Sequence, residues 1–192
     1  MRKQVTPRVK KVKNTLVGKT VPNNLYDNGA TGRFIENELR KDGHHVDTTA
    51  IVDLPEYNVE VKSRLDTTKS SVTICSMTFD AIKKTSYKKS KVYQKTQRIL
   101  VVNHNNSNVT KTSTYDFTDP YIQEKIRNSY NYSRSQLVKT GKISTKGYGY
   151  FDPIKNSNSY KFRISNKGFA GLKTMSNNSQ TFNKLFEIKK KK

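Results

Sequence analysis

The chain has 192 residues, of which 32% are hydrophobic, including eleven Tyr and eight Phe. This is enough material for one hydrophobic core, and it excludes a wholly disordered chain. The 37 Lys and Arg against 15 Asp and Glu leave a net charge of +22, which indicates a polyanionic partner such as nucleic acid. A compositionally biased genome that favours Lys and Asn would explain part of the lysine count, but not the shortage of acids.

The sequence contains no run that is long and apolar enough to span a membrane. The basic N-terminus also lacks the apolar core of a secretion signal, so we expect a cytoplasmic (intracellular) protein without a membrane partner. Cys75 is the lone cysteine, which excludes a disulfide within the chain. Its position in an alternating apolar run predicts a buried thiol.

The first part of the chain begins with a Lys/Arg-rich arm, residues 1–22, which either lies along phosphates or is a solvated tail. Apolar residues then recur at helical spacing between positions 33 and 40. They predict a helix with Thr31 as its N-cap and residues 41–43 as its end.

Two short strands, 51–54 and 59–62, are predicted on either side of a turn that contains proline. In the second strand Glu60 and Lys62 are two residues apart and therefore point to one face, while the valines flanking Glu60 point to the other. The alternating run 72–79 predicts another strand that pairs beside this one.

The remaining elements are predicted from periodicity and composition. They are one or two basic helices over 80–97, a buried strand over 98–102, a surface loop over 103–114, a helix over 121–137, and a mixed region over 141–186 that ends in a helix at 182–186. Together these elements predict an α/β (mixed α+β) fold, in which helices flank a mixed β-sheet.

Asp53, Glu60 and Lys62 carry the chemistry that the sequence suggests. Phosphodiester hydrolysis needs a hard cation on the phosphate and an activated water. Asp53 and Glu60 can converge on one Mg²⁺ from adjacent strands, with the carbonyl of Val61 as a further ligand, while Lys62 holds or deprotonates the water. The alternative for Glu60 and Lys62 is an exposed ion pair, because Glu-x-Lys is common in proteins.

The block from Asp53 to Lys62 resembles the Asp-x6-Glu-x-Lys motif of the MutH mismatch-repair endonuclease and the related GATC-cutting restriction enzymes, a family of the PD-(D/E)xK type. Asn28-Gly29-Ala30-Thr31-Gly32 and the residues up to Glu36 are similar to the start of a helix in that family. The segment from Lys95 to Val101 resembles one in which a second active-site lysine precedes a buried strand.

The resemblance implies that Asp53 and Glu60 bind the metal, that Lys62 supports catalysis, and that Glu36 and Lys95 are accessory active-site residues. Lys91 and Arg98 are alternatives to Lys95 as the residue that faces the site. Where the family has Lys before the first Gly, this chain has Asn28, so its DNA recognition need not be identical.

The segment 163–169 is similar to a family hairpin that enters the major groove and reads bases. Arg163, Lys167 and Gly168 are therefore expected to bind DNA, since a Lys beside a Gly can reach the O6 and N7 atoms of guanine. Asn28 and Gly29 are expected to contact DNA as well. The alternative for 163–169 is a plain surface turn.

These expectations combine into a restriction-endonuclease-like domain over residues 1–192. It would contain the basic arm, a catalytic subregion (23–115) and a DNA-recognition subregion (116–192) that forms one wall of a cleft. The expected function is a type II restriction endonuclease that uses Mg²⁺, or Mn²⁺ as a substitute, to cut double-stranded DNA at a GATC-like site. It would act as a monomer or a homodimer, with a cognate DNA methyltransferase in the same system.

Two other functions stay open from the sequence. A MutH-like enzyme that nicks DNA during mismatch repair would share the chemistry but depend on an activator. A non-catalytic DNA-binding protein would use the same acids only to pair with lysines. The residues His44, His45, Asp42 and Asp47 do not form a complete set of zinc ligands and are expected to lie in a surface connector.

Overall fold

The computed structural model describes residues 16–22, 29–49, 51–67 and 71–174. Asn28, most of the arm 1–22 and the expected helix at 182–186 lie outside the described residues. No helix in the described ranges has the length and apolarity that are needed to cross a membrane.

The described elements follow one another in a mixed order of helices and strands. They are α1 (Ala30–Lys41), a 3-10 turn (Pro55–Tyr57), β1 (Glu60–Leu65), β2 (Ser71–Thr78), α2 (Phe79–Lys84), a second 3-10 turn (Tyr87–Lys89), α3 (Lys91–Lys95), β3 (Arg98–His104), β4 (Val109–Asp116), α4 (Pro120–Thr140), β5 (Gly149–Pro153), β6 (Ser159–Ser165) and α5 (Asn166–Thr174). They form two three-stranded sheets, with strand orders β1-β3-β4 and β2-β6-β5. The expected mixed α/β fold class is confirmed.

Strand β3 lies at the centre of the first sheet and is buried on both faces. It pairs in parallel with β1 and antiparallel with β4. Ile99 and Val101 face the inter-sheet core, a cluster that also contains buried residues of β2, β5, β6 and α4. Leu100 and Val102 face the outer core, which includes buried residues of α1 and the segment 16–21. The continuous apolar run predicted a strand of this kind.

Helix α4 supplies one side of the inter-sheet core. Asp119 caps its first turn by accepting hydrogen bonds from the amides of Tyr121 and Ile122. Ile122, Ile126 and Leu137 are buried on one face, as their spacing predicted. The predicted helix over 121–137 is therefore confirmed, as are the two short helices within 80–97.

The first helix starts earlier in the chain than predicted. The helix begins at Ala30 with Gly29 at the N-cap position, so Thr31 lies inside the first turn and is not the cap. Its predicted end was right, because Asp42 is the C-cap.

Three predictions about strands were wrong. Residues 51–54 form no strand beyond an isolated bridge between Leu54 and Val59. Strand β2 pairs with β6 in the second sheet, whereas the partner of β1 is β3. Residues 103–114 are not a loop, because β3 continues to His104 and β4 begins at Val109. Thr and Ser fill β4 because it is a half-exposed strand at the edge of the sheet.

The predicted hairpin at 163–169 was also wrong. Arg163 lies within β6, and α5 begins at Asn166, so Lys167 and Gly168 lie in the first turn of a helix. A Cβ atom added at Gly168 would stand 2.4 Å from the carbonyl oxygen of Tyr148. The glycine is required there because α5 packs closely on that backbone, and this packing faces inward.

The burial of β3 on both faces gives a test of the fold. We expect Ile99→Ala to lower the free energy of unfolding by about 2–5 kcal/mol, because the side chain is fully buried and a cavity would remain. The same substitution at Ile143, which is 46% exposed, is the control and should cost far less. Urea denaturation of both variants measures the difference, and equal losses would contradict the burial of this face of β3 in the inter-sheet core.

Candidate active site

Glu60 is the first residue of β1 and is completely buried. Parallel pairing sets Glu60 opposite Ile99 and Lys62 opposite Val101. Residues that are paired in adjacent strands point to the same face, so both side chains lie on the side of the inter-sheet core. A carboxylate at such a depth is costly unless other charges compensate it.

Two lysines provide that compensation at one oxygen of the carboxylate. The Nζ atom of Lys62 lies 2.5 Å from Glu60 Oε1, and the Nζ atom of Lys95 donates to the same oxygen at 2.7 Å. The two side chains are only 22% and 20% exposed, so little solvent screens these pairs. The exposed ion pair considered from the sequence is therefore wrong, because the acid is at the bottom of a partly enclosed cluster.

The second oxygen of Glu60 has a different environment. Glu60 Oε2 is buried, and no group among the described residues donates a hydrogen bond to it. A buried acceptor without a partner costs free energy comparable to a lost hydrogen bond. An oxygen of this kind fits the ligand set of a hard divalent cation.

Asp53 lies beside the same strand. Its Oδ2 atom accepts a hydrogen bond of 2.8 Å from the amide of Val61, which lies on the edge of β1 away from β3. The amide and carbonyl of one strand residue leave on the same edge, so the Val61 carbonyl also points to the side of Asp53. Asp53 and the Val61 carbonyl thus lie at the outer edge of the strand that begins with Glu60.

Lys95 reaches the cluster because of the order of elements. It is the last residue of α3, and β3 starts three residues later. The parallel pairing places the start of β3 beside the start of β1, where Glu60 lies. Of the three candidates, Lys91 is exposed and Arg98 pairs with Asp116 at 3.4 Å, so Lys95 is the residue that faces the carboxylate.

Cys75 lies in β2 across the inter-sheet core from this cluster. Burial raises the pKa of its thiol to about 11, while the charges of Lys62 and Lys95 act in the opposite direction. The thiol is therefore protonated at neutral pH, which confirms the predicted buried cysteine and gives it no role as a nucleophile.

Glu36 pairs with a residue of its own helix. Its carboxylate is 3.6 Å from the guanidinium of Arg40 on the same helix. The buried acid of this helix is instead Glu38, which receives hydrogen bonds from Lys19 and Lys41. These bonds hold the pKa of Glu38 below its ordinary value. No motif pointed to Glu38, because its partner Lys19 is distant in sequence.

The candidate DNA-binding residues lie in different elements and differ in exposure. Arg163 pairs with Asp152 at 2.8 Å, Lys167 is exposed on α5, and Gly168 is buried against Tyr148. Gly29 caps α1. Their contact with DNA stays a prediction.

Arg64 was not singled out from the sequence, although it joins β1 to the start of α5. Its guanidinium donates to the side-chain oxygens of Asn103, at 2.7 Å, and of Asn166 at the start of α5. Asn166 in turn donates to the carbonyl of Thr67 at 3.0 Å. The end of β1 and the start of α5 are thereby held together.

The expected surface connector after α1 was only half right. His45 is exposed, but His44 is buried and its ring lies edge-on to Tyr57 at 6.1 Å. Within the described ranges no group of three or more His, Cys, Asp or Glu side chains could hold a metal. The ligands considered above are two carboxylates and a backbone carbonyl.

A comparison with protein families covers this site. Residues 43–135 match the family model described as "DNA mismatch repair enzyme MutH". The matched segment contains Asp53, Glu60, Lys62 and Lys95, whereas Glu36 and the candidates on β6 and α5 lie outside it. No curated protein matches the chain.

Glu60 Oε2 is a buried acceptor without a donor among the described residues. If it binds a metal ion, the ion should stabilise the folded protein. Mg²⁺ that binds only the folded state should raise the melting temperature of the wild-type protein, by an amount equivalent to about 2.7 kcal/mol at 100 times its dissociation constant. Glu60→Gln replaces the anion by a neutral amide and should remove most of this shift. Differential scanning calorimetry, with each variant compared to its own metal-free state, measures the effect.

The control variant is Glu124→Gln, which changes an exposed acid on α4. It should retain the full shift with Mg²⁺. A shift in Glu60→Gln as large as that of the wild type would show that the cation binds elsewhere.

Proposed function

We propose that this chain, whose residues 43–135 match the family model of the DNA mismatch repair enzyme MutH, is a Mg²⁺-dependent, sequence-specific endonuclease of duplex DNA. The observation that carries the proposal is the set of contacts that the two carboxylate oxygens of Glu60 make. One oxygen of its buried carboxylate is held by two ammonium groups, the other has no donor among the described residues, and Asp53 is hydrogen-bonded to the next residue of the same strand.

Each residue of the cluster has a role in this proposal. Glu60 Oε2, the carboxylate of Asp53 and the carbonyl of Val61 would hold the cation. When bound, the cation would polarise the scissile phosphate as a Lewis acid and neutralise charge that develops on it. Mn²⁺ has the same preference for oxygen ligands and is the expected substitute.

In this proposal Lys62 acts on the attacking water. Its ammonium is fixed at Glu60 and remains partly accessible, so it can orient a water molecule against phosphorus and take up or release a proton. Hydrolysis adds the hydroxyl of this water to phosphorus, breaks the bond to the leaving oxygen, and transfers a proton to that oxygen.

Lys95 acts on Glu60 from the end of helix α3. By donating to Glu60 Oε1, it fixes the carboxylate so that Oε2 is the oxygen left for the cation. Its positive charge also lies where negative charge builds up on the phosphate, and fixed charges in a partly enclosed site stabilise such a transition state strongly. Glu36, Arg163, Lys167, Gly168, Asn28 and Gly29 are retained as proposed accessory or DNA-contacting residues.

The two lysines predict a specific pattern of losses. Lys62→Ala should lower the cleavage rate by about 10²–10⁴-fold, because it removes the group that handles the proton, and Lys95→Ala by about 10²-fold. Affinity for DNA in the absence of metal should change little, since phosphate contacts elsewhere supply most of the binding. Single-turnover cleavage of a plasmid and a binding assay separate the two effects.

Lys155→Ala is the control, because Lys155 is an exposed residue in the turn between β5 and β6. It should cut at the wild-type rate. Cleavage by Lys62→Ala as fast as by the wild type would overturn the proposed mechanism.

The high positive charge favours a restriction enzyme that acts without an activator. A net charge of +22 gives strong binding to DNA through phosphate contacts alone. A GATC-like site and a cognate DNA methyltransferase are parts of the same proposal. The second candidate, a mismatch-repair nickase, is favoured by the match to the family of the DNA mismatch repair enzyme MutH.

The products of cleavage distinguish the two candidates. We expect purified protein with Mg²⁺ to convert a supercoiled plasmid into discrete linear fragments, whose sequenced ends give the recognition site. Accumulation of open circles that require an added ATPase for efficient cutting would favour the nickase. Binding without any metal-dependent cutting would leave only a DNA-binding protein.

A further inference from the structure

We propose that five exposed lysines before β3 bind the DNA backbone next to the scissile phosphate. These residues, called the lysine face here, are Lys83, Lys84, Lys88, Lys89 and Lys91. The inference rests on the proposed function for the position of the scissile phosphate. It adds to that function a surface that lies outside the catalytic cluster.

The lysines of this face are carried by a backbone that is anchored in the inter-sheet core. Ile82, Tyr87 and Val92 are buried in that core and alternate along the chain with the exposed lysines. The apolar residues hold the segment down, and the ammonium groups are directed to solvent. A flexible basic tail would lack this arrangement.

Hydrogen bonds from other elements hold the same backbone in place. Arg134 of α4 donates to the carbonyls of Ile82, at 2.7 Å, and of Lys83, at 2.5 Å. Tyr130 donates to the carbonyl of Thr85 at 3.0 Å. The anchor points are thus fixed before DNA arrives, which lowers the entropic cost of binding.

The positive charge of the face is not neutralised locally. Asp80 is the one acid between residues 79 and 97. In the part of the chain that the structure describes, no carboxylate forms an ion pair with any of the five lysines. A surface that only keeps a protein soluble usually carries charges of both signs. A row of ammonium groups without nearby acids instead matches the successive phosphates of a DNA strand.

The face leads directly to the catalytic cluster. Lys91 and Lys95 are the first and last residues of α3, four positions apart and therefore on the same side of the helix. The rise between them is about 6 Å, which is less than the screening length of about 8 Å at physiological salt. The charge of Lys91 also acts on Cys75 together with those of Lys62 and Lys95.

These positions give a path for one DNA strand. A phosphate held beside Lys95 would be followed by neighbours at Lys91 and then at Lys88 and Lys89. The face would therefore position the strand and supply affinity, while the bond is broken at the cluster. Its loss should weaken DNA binding and raise KM, with kcat largely retained.

A charge-matched pair of triple variants tests the proposal. The first replaces Lys88, Lys89 and Lys91 by Ala. The second replaces Lys139, Lys142 and Lys146, which are exposed at and beyond the far end of α4. Gln123, near the start of α4, contacts the carbonyl of Thr96 beside Lys95, and Lys139 lies sixteen residues further along, about 24 Å away.

The measurement is the salt dependence of binding to a labelled random-sequence DNA duplex without divalent metal, from about 50 to 200 mM salt. The slope of log K against log salt should become less steep by about 2–3 in the first variant, because each lost phosphate contact contributes about 0.9. The control should change by less than 1. Equal changes in the two variants would overturn the proposal.

Two further readouts separate the inference from the proposed function. Steady-state cleavage by the first variant should show a raised KM and a kcat close to that of the wild type, and a loss confined to kcat would overturn the positioning role. The contrary outcome is that the wild type binds single-stranded RNA more tightly than the duplex and loses this preference in the first variant. That result would assign the lysine face to RNA and overturn the proposal. Because the binding slope needs no cleavage, it tests the face even if no metal-dependent cutting is found.

Discussion

The structure depends on the burial of one charge. Glu60 is fully enclosed, and an isolated carboxylate in such surroundings would take up a proton or destabilise the fold. Two ammonium groups at Oε1 offset much of the free energy that burial of the charge costs. Oε2 has no donor among the described residues, so its desolvation is not compensated there. A site that is compensated for stability alone would have satisfied both oxygens.

The rest of the fold keeps this arrangement in place. Strand β3 is held between two cores, and its parallel pairing aligns the start of β1 with the end of α3. Asp53 reaches the outer edge of β1 from the segment before the 3-10 turn. Glu60 and Lys62 lie on β1, Lys95 on α3 and Asp53 in the segment before the 3-10 turn, so three separate pieces of chain meet here and the cluster can form only when the sheet does.

Local periodicity predicted the elements whose partners are close in sequence. The helix α4, the short helices before β3 and β3 itself followed from the spacing of apolar residues, and the Glu-x-Lys pair followed from the geometry of one strand. Lys95 could be nominated only through the resemblance to a family, because α3 bears lysines at both ends. Its contact with Glu60 depends on a parallel pairing that no local pattern reveals.

The errors have physical reasons of the same kind. Residues 51–54 are apolar enough for a strand, but Asp53 uses its side chain to occupy the edge of β1. Strand β4 was mistaken for a loop because its exposed positions carry Thr, Ser and Lys. Asn166-Lys167-Gly168 looked like a turn, whereas the glycine serves the close packing of α5 on Tyr148. In each case a contact between distant segments decided the outcome.

The most direct measurement of the central claim is a crystal structure of the protein soaked with Mn²⁺, with the ion located by anomalous scattering. The account predicts one ion coordinated by Glu60 Oε2 and Asp53, with Lys62 and Lys95 still beside the glutamate. An ion bound away from both carboxylates, or a Glu60 whose second oxygen is filled by another protein donor, would contradict it.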